Sequence, residues 1–327
     1  MNKSLIYLTL ICFAFVSCEK SVETPAPIAI TKPIASSSFT LDKYGVPCNL
    51  AVTGKNPNET ISIQVFSENK TLVASSVSQN LNQQITKSGF YTIEYTVKNS
   101  VGTSIKIDSI IVFENSEVQN FYNVNLQGFT IKIRKSDADN KVNQSTLLFI
   151  HNKISRMKSQ LPDWAYNQFT KVTLWMDDNS MPNYTASYHP GKEWLIANGY
   201  MPEKAKGFEI SNFKNFISYS KAQADILLHE LAHAYHDQFM VNGFNNKLIK
   251  DAFDKSMATK KYDLVDHIGG GKQKHYATNN QMEYFAEMTE AYFGKNDFYP
   301  FTKSELKTYD IDSYNLMEKV WVSGLKQ

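Results

Sequence analysis

The chain has 327 residues, with 34 basic and 32 acidic side chains and a formal net charge of +2. That length suits two globular domains better than one, and apolar and charged fractions of 42% and 20% exclude a wholly disordered protein. No basic cluster stands out from the near-neutral balance, so no nucleic-acid partner is expected.

In chain order, the first element is Lys3 followed by an apolar run from Leu5 to Val16, ending in Ser17-Cys18. The run has the length of a secretory signal core and is too short for a comfortable membrane span. A small residue directly before a cysteine, closing such a run, resembles the lipobox of bacterial lipoproteins. The resemblance implies a signal peptide over 1–17, lipid on Cys18, and an exported chain anchored to the membrane, facing the periplasm or the cell exterior. Of the three cysteines, Cys12 falls in the signal and Cys18 takes lipid, which leaves Cys48 alone. Neither a disulfide nor a cysteine metal site is then expected.

Residues 18–38, rich in Ser, Pro, Thr and Ala, read as an extended tether. From 39 to 115 the pattern is of short strands. Ile61–Phe66 and Tyr91–Val97 alternate apolar with polar residues, and Ile105–Phe113 follows a turn at Asn99–Gly102. Period-two alternation broken by Asn, Gly and Ser predicts an antiparallel sandwich. Gly89–Val97 followed by Asn99 resembles the penultimate strand of bacterial immunoglobulin-like modules, and the resemblance covers roughly 75 residues.

The remaining residues, 116–327, predict an α+β domain. Strands are expected at Phe129–Ile133, Val172–Met176 and Phe208–Ser211, with a helix over Gln144–Leu161 that buries Leu147, Ile150, Ile154, Met157 and Leu161. Tyr188–Lys206 reads as a loop, and the chain beyond Lys221 as mostly helical.

Chemistry concentrates in Asp225–His236, which contains His-Glu-x-x-His at His229, Glu230 and His233. On a helix the two imidazoles stand one turn apart on one face and can reach one metal, with Glu230 beside them to take a proton from metal-bound water. A buried helix with two hydrogen-bonded histidines is the rival reading of the motif alone. Catalytic zinc needs a third protein ligand and an open position. Downstream, Glu283, Glu287 and Glu290 share one face of a second helix with an aromatic surround. His236 is a competing third ligand, but it lies about 10 Å from His229 along an unbroken helix at ~1.5 Å per residue, which suits an outer role better.

A His-Glu-x-x-His helix followed by Glu283-Tyr284-Phe285-Ala286-Glu287 resembles the gluzincin peptidases, in particular their lethal-factor-like branch. The resemblance implies an immunoglobulin-like β-sandwich followed by a zincin-like α+β catalytic domain. It implies one catalytic Zn2+ held by His229, His233 and Glu283, with Glu287 and His236 behind the ligands. Tyr276, seven residues before the ligand Glu, would donate to the oxyanion. The expected activity is hydrolysis of peptide bonds in extracytoplasmic polypeptides, by a monomer. Two other readings remain: a catalytically silent lipoprotein that binds through its immunoglobulin-like part, and a zinc hydrolase of cell-wall amides. Phe208–Ser211, directly before the active-site helix, is a candidate to hold an extended peptide by strand addition.

Overall fold

A computed structural model describes residues 31–41, 47–55, 59–138, 141–222 and 225–322. The signal peptide 1–17, Cys18 and tether residues 18–30 lie outside the described residues.

Seven strands come first: β1 (Ser37–Leu41), β2 (Cys48–Gly54), β3 (Thr60–Ser67), β4 (Leu72–Ser76), β5 (Asn80–Ile85), β6 (Gly89–Lys98) and β7 (Thr103–Val112). They form two antiparallel sheets, ordered β1-β2-β5 and β4-β3-β6-β7. The alternation seen in the sequence is the reason. Ile61, Ile63 and Val65 on β3 and Tyr91, Ile93, Tyr95 and Val97 on β6 point inward, and they meet Leu50, Val52, Leu81 and Ile85 of the other sheet in one core. Cys48 is buried in it, as a small apolar residue would be. The first strand starts at Ser37, so the end of the tether is already ordered on this unit: Ala35 N–H donates to Ser104 Oγ (3.1 Å).

The second part is mixed. Strands β8 (Glu114–Asn115), β9 (Phe121–Leu126), β10 (Phe129–Arg134), β11 (Leu174–Met176), β12 (Ala186–Tyr188) and β13 (Phe208–Ile210) form one sheet in the order β12-β13-β11-β10-β9-β8. The central β10, β11 and β13 run parallel, and β12 is antiparallel at one edge. Glu114 already pairs in this sheet, so the first unit's strands end at Val112. A two-stranded hairpin, β14 (Val265–Asp266) and β15 (Lys272–Gln273), stands apart.

Ten α-helices complete the described residues: α1 (Lys135–Ala138), α2 (Lys141–Gln160), α3 (Asp163–Phe169), α4 (Lys192–Ala197), α5 (Phe213–Ala222), α6 (Ile226–Phe239), α7 (Lys247–Ala258), α8 (Gln281–Phe293), α9 (Lys303–Tyr309) and α10 (Ile311–Met317). On α2, Leu147, Ile150, Ile154 and Met157 are buried, as is Leu161 just beyond its end. The chain is therefore a mixed α/β protein with a β-rich N-terminal part.

Two local expectations change. Tyr188–Lys206 is not all loop, because Lys192–Ala197 forms α4. The strand at Phe208–Ile210 cannot accept a peptide by strand addition, since it is paired with β11 on one side and β12 on the other. The edge strand on that side of the sheet is β12.

Candidate metal centre

Helix α6 buries Leu227, Leu228, Leu231, Ala232 and Tyr235, and this apolar stripe fixes its rotation. His229 and His233, one turn apart, are thereby turned to the opposite side. Helix α8 starts at Asn280, whose side-chain oxygen accepts hydrogen bonds from the N–H groups of Met282 and Glu283 (both 2.9 Å). That cap sets Glu283 in the first helical turn, where the helix dipole favours a carboxylate. Asp225 ties the two helices together. Its Oδ2 accepts from Lys295 N–H (2.7 Å) and lies so close to Gly294 that a Cβ there would sit 2.0 Å away. Any residue larger than glycine there would displace the Asp225 carboxylate.

The result is convergence of three ligand atoms. His229 Nε2 is 3.1 Å from Glu283 Oε2, His233 Nε2 is 3.1 Å from His229 Nε2, and His233 Nε2 is 3.3 Å from Glu283 Oε2. Tetrahedral zinc with ~2.0–2.1 Å bonds sets its donors about 3.3 Å apart. Two imidazoles and one carboxylate are also a donor set that zinc takes, so the residues present fit the ion. Electrostatics agree. Burial alone would lower the His229 pKa, but hydrogen bonds with Glu283 and Glu290 raise it well above the usual histidine range. Glu283 is pushed up by burial and pulled further down by His229 and His233. The site is built to hold positive charge.

Behind the ligands, His229 Nδ1 donates to Glu290 Oε1 (2.5 Å), the outer-carboxylate arrangement that orients a metal-binding imidazole. Glu287, expected in that place, lies 3.6 Å from the same nitrogen and 3.7 Å from His275 Nδ1, and neither of its oxygens has a hydrogen-bond partner. Burial, then the neighbouring Glu290, drives its pKa well above the carboxylate range, while burial brings Glu290 to about 7. Spacing put both acids on one face of α8, and the packing of α8 on α6 gives the bond to Glu290.

His236 makes no hydrogen bond to the ligands. It is fully buried between the rings of Phe244 and Phe285, both 5.2 Å away, with neither nitrogen bonded, and burial lowers its pKa to about 3. His151 and His189 are engaged elsewhere, with Glu68 and Glu209 respectively (2.8 Å each).

His229, Glu230, His233, Tyr276 and Glu283 line one open cleft of about 400 Å3, and β12 forms its opposite wall. Glu230 Oε2 accepts from the backbone N–H of Tyr188 on β12 (2.8 Å). Tyr276, on the short 3-10 turn Tyr276–Thr278, places its ring 6.3 Å from that of His229 and is 46% exposed. Burial raises its hydroxyl pKa, reinforced by the charge of Glu283, so it is a hydrogen-bond donor at neutral pH. Sequence reasoning missed Tyr188 and also Asp237 on α6, which accepts from the Tyr188 hydroxyl (2.6 Å) and so braces β12 against the ligand helix. A three-residue strand is too short to reveal a period.

No protein-family model matches the chain, and no curated protein matches it. Among solved structures it is similar to the sulfur carrier protein SoxY of Chlorobium limicola f thiosulfatophilum, at 15% identity over 25% of this chain and 86% of that one, with a TM-score of 0.19. It is also similar to the PKD domain of the human receptor SorCS2, at 12% identity over 35% and 99% of the two chains, TM-score 0.22. A third likeness is to the beta-D-glucuronidase of Dictyoglomus thermophilum, at 12% identity, 55% of this chain and 29% of that one, TM-score 0.24. Likenesses at these TM-scores carry nothing about fold or function.

Proposed function

We propose that this chain is a zinc metallopeptidase of the gluzincin type, acting on polypeptides outside the cytoplasm. The observation that carries the proposal is the set of three ligand atoms 3.1–3.3 Å apart, opening on a cleft that also contains Glu230 and Tyr276. His229, His233 and Glu283 would hold the ion. When bound, zinc supplies a water of near-neutral pKa and polarises the scissile carbonyl.

The chain's own residues do the rest. Glu230 has one oxygen held by the Tyr188 N–H, so Oε1 is left to take the proton of the attacking water and return it to the leaving amine. Tyr276 donates to the carbonyl oxygen as negative charge develops there, an effect worth about 3 kcal/mol when the donor is preorganised. The free edge of β12 offers main-chain groups to an extended substrate. The N-terminal sheets, read as an immunoglobulin-like module, space the catalytic part from a lipid on Cys18, and the anchored protein is a monomer.

The test is metal content by mass spectrometry on the purified chain, together with hydrolysis of a denatured protein substrate. Near-stoichiometric zinc in the parent, lost in Glu283→Ala, supports the ligand set. Glu230→Gln is expected to keep zinc and to lose at least about 100-fold in hydrolysis. A parent that binds no zinc after reconstitution would sink the proposal.

A further inference from the structure

Beside the cleft, sharing Tyr184, Ser187 and Tyr188 with it, lies a second cavity of about 240 Å3. Ala186 and Tyr188 turn toward α6 and the core: Ala186 packs on core residues, and the Tyr188 hydroxyl reaches Asp237. Side chains alternate along a strand, so Ser187 points to the opposite face, and it lies on the wall that the cavity shares with the cleft. The same alternation applies to the backbone. His189 N–H donates to Gly207 O and Ser211 N–H to Thr185 O, which marks 185, 187 and 189 as the residues bonded to β13. The main-chain groups of Ala186 and Tyr188 therefore face away from β13; the Tyr188 N–H is held by Glu230 and the Ala186 O by Ser187 Oγ, and the Ala186 N–H and Tyr188 O face any chain laid along β12.

The cavity's chemistry is apolar. Its walls are Met181 and the rings of Tyr184 and Trp194, with Trp194 edge-on to Tyr184 (6.3 Å) and stacked on Tyr200 (5.5 Å). Its polar side chains include Tyr188, Ser187 and His189, each already engaged, Tyr188 with Asp237. Ser187 Oγ donates to Ala186 O (2.7 Å), and the His189 ring bonds Glu209 Oε2 (2.8 Å). Tyr184 and Trp194 are nevertheless 43% and 46% exposed, large rings left open beside an unpaired edge. Lys204, 2% exposed, bridges Asp177 Oδ2 (2.7 Å) and Glu209, and Ser180 also donates to Glu209 (2.5 Å). This buried network ties Asp177, Ser180 and Lys204 to Glu209 on β13.

We infer that this cavity is a specificity subsite for one large apolar or aromatic side chain of the polypeptide substrate. The inference rests on the reading of the neighbouring cleft as a peptide site and adds its side-chain preference. An extended peptide on β12 sends alternate side chains to the two faces, so the residue that fills the cavity is flanked by residues facing the metal side. A dry cavity of about 150 Å3 already takes benzene, so this one accommodates a ring. No Asp, Glu, Lys or Arg side chain lines it.

The experiment uses the zinc-loaded full chain carrying Glu230→Gln and a positional-scanning pool of fluorescein-labelled hexapeptides, read by fluorescence polarisation. At one position Phe, Tyr, Leu and Met are expected to bind at least about tenfold more tightly than Gly or Asp. Adding Trp194→Ala or Tyr184→Ala should reduce that preference to under about threefold while the adjacent positions keep theirs. Both residues are half-exposed, and thermal melting checks that each variant folds. Preference retained in both variants, absence of any positional preference, or no binding of the pool overturns the subsite. Hydrolysis of the same pool by the parent chain is scored separately. Cleavage with a preference indifferent to Trp194 rejects the subsite and leaves the peptidase standing, whereas Trp194-dependent binding without cleavage does the reverse.

Discussion

Glu287 and Glu290 lie three residues apart on α8 and differ in what they touch. Glu290 holds the Nδ1 proton of His229, and Glu287 has no hydrogen bond to either carboxylate oxygen. A carboxylate on the far nitrogen of a metal-binding imidazole raises its basicity and fixes its tautomer. Glu290→Gln is therefore expected to weaken zinc binding by about 10–100-fold, measured by competition with a chelator. Burial drives the Glu287 pKa well above the carboxylate range, and Gln is close in shape to a protonated Glu. Glu287→Gln should leave the affinity near the parent value, and the opposite ranking would reverse the two assignments. The spacing of His229, Glu230 and His233 was legible in the sequence because i and i+4 fix a face without reference to anything else. The choice between two acids on one face was not, since it depends on how α8 is rotated against α6.

Helix caps matter here beyond the stability of the helices. Asn280 satisfies two N–H groups of α8, one of them that of Glu283, so the cap and the ligand share a turn. Asn280→Ala should cost about 1 kcal/mol of stability and also weaken zinc binding. Thr302 caps α9 by accepting from Glu305 N–H, far along the chain from the ligands, and Thr302→Ala is the control. Comparable stability losses, with zinc affinity reduced only in Asn280→Ala, are expected from denaturant titrations and chelator competition. Equal zinc affinity in both variants would separate the cap from the site. Among strands, the long alternating β3 and β6 were plain in the sequence, whereas β12 was not. Its three residues become a strand only through pairing with Phe208–Ile210, and that same pairing removes β13 from the edge.

At the scale of the whole molecule, the two parts meet at Glu68, in the turn between β3 and β4. Its carboxylate bonds the His151 ring on α2 (2.8 Å) and the Gln127 N–H (2.9 Å), and Phe90 stacks on His151 at 4.0 Å. Global stability should also respond to acid through the buried histidines. Burial lowers His236 and His275 to about 3, below the ~6.5 of an unfolded chain. Between those values the unfolded state binds more protons. The stabilisation is thus complete above about 6.5 and is lost as the pH falls toward 3. His236→Phe, in a site walled by Phe244 and Phe285, should flatten the decline between pH 6.5 and 4 in thermal melts. An unchanged slope would show that His236 is not held neutral.

By itself the sequence determined what depends on near neighbours. It set the inward faces of β3, β6 and α2, the imidazole pair on α6 and the acidic face of α8, because periodicity is a property of one element's own geometry. It also set the donor types that suit zinc. Whatever depends on two elements at once was set by their packing. The approach of α8 to α6 brought Glu283 within 3.1 Å of His229 and turned Glu290 onto its far nitrogen. The sheet order left β12 free beside the cleft, with an apolar cavity on its other face. These outcomes follow from packing between segments distant in the chain, and no local pattern of residues encodes them.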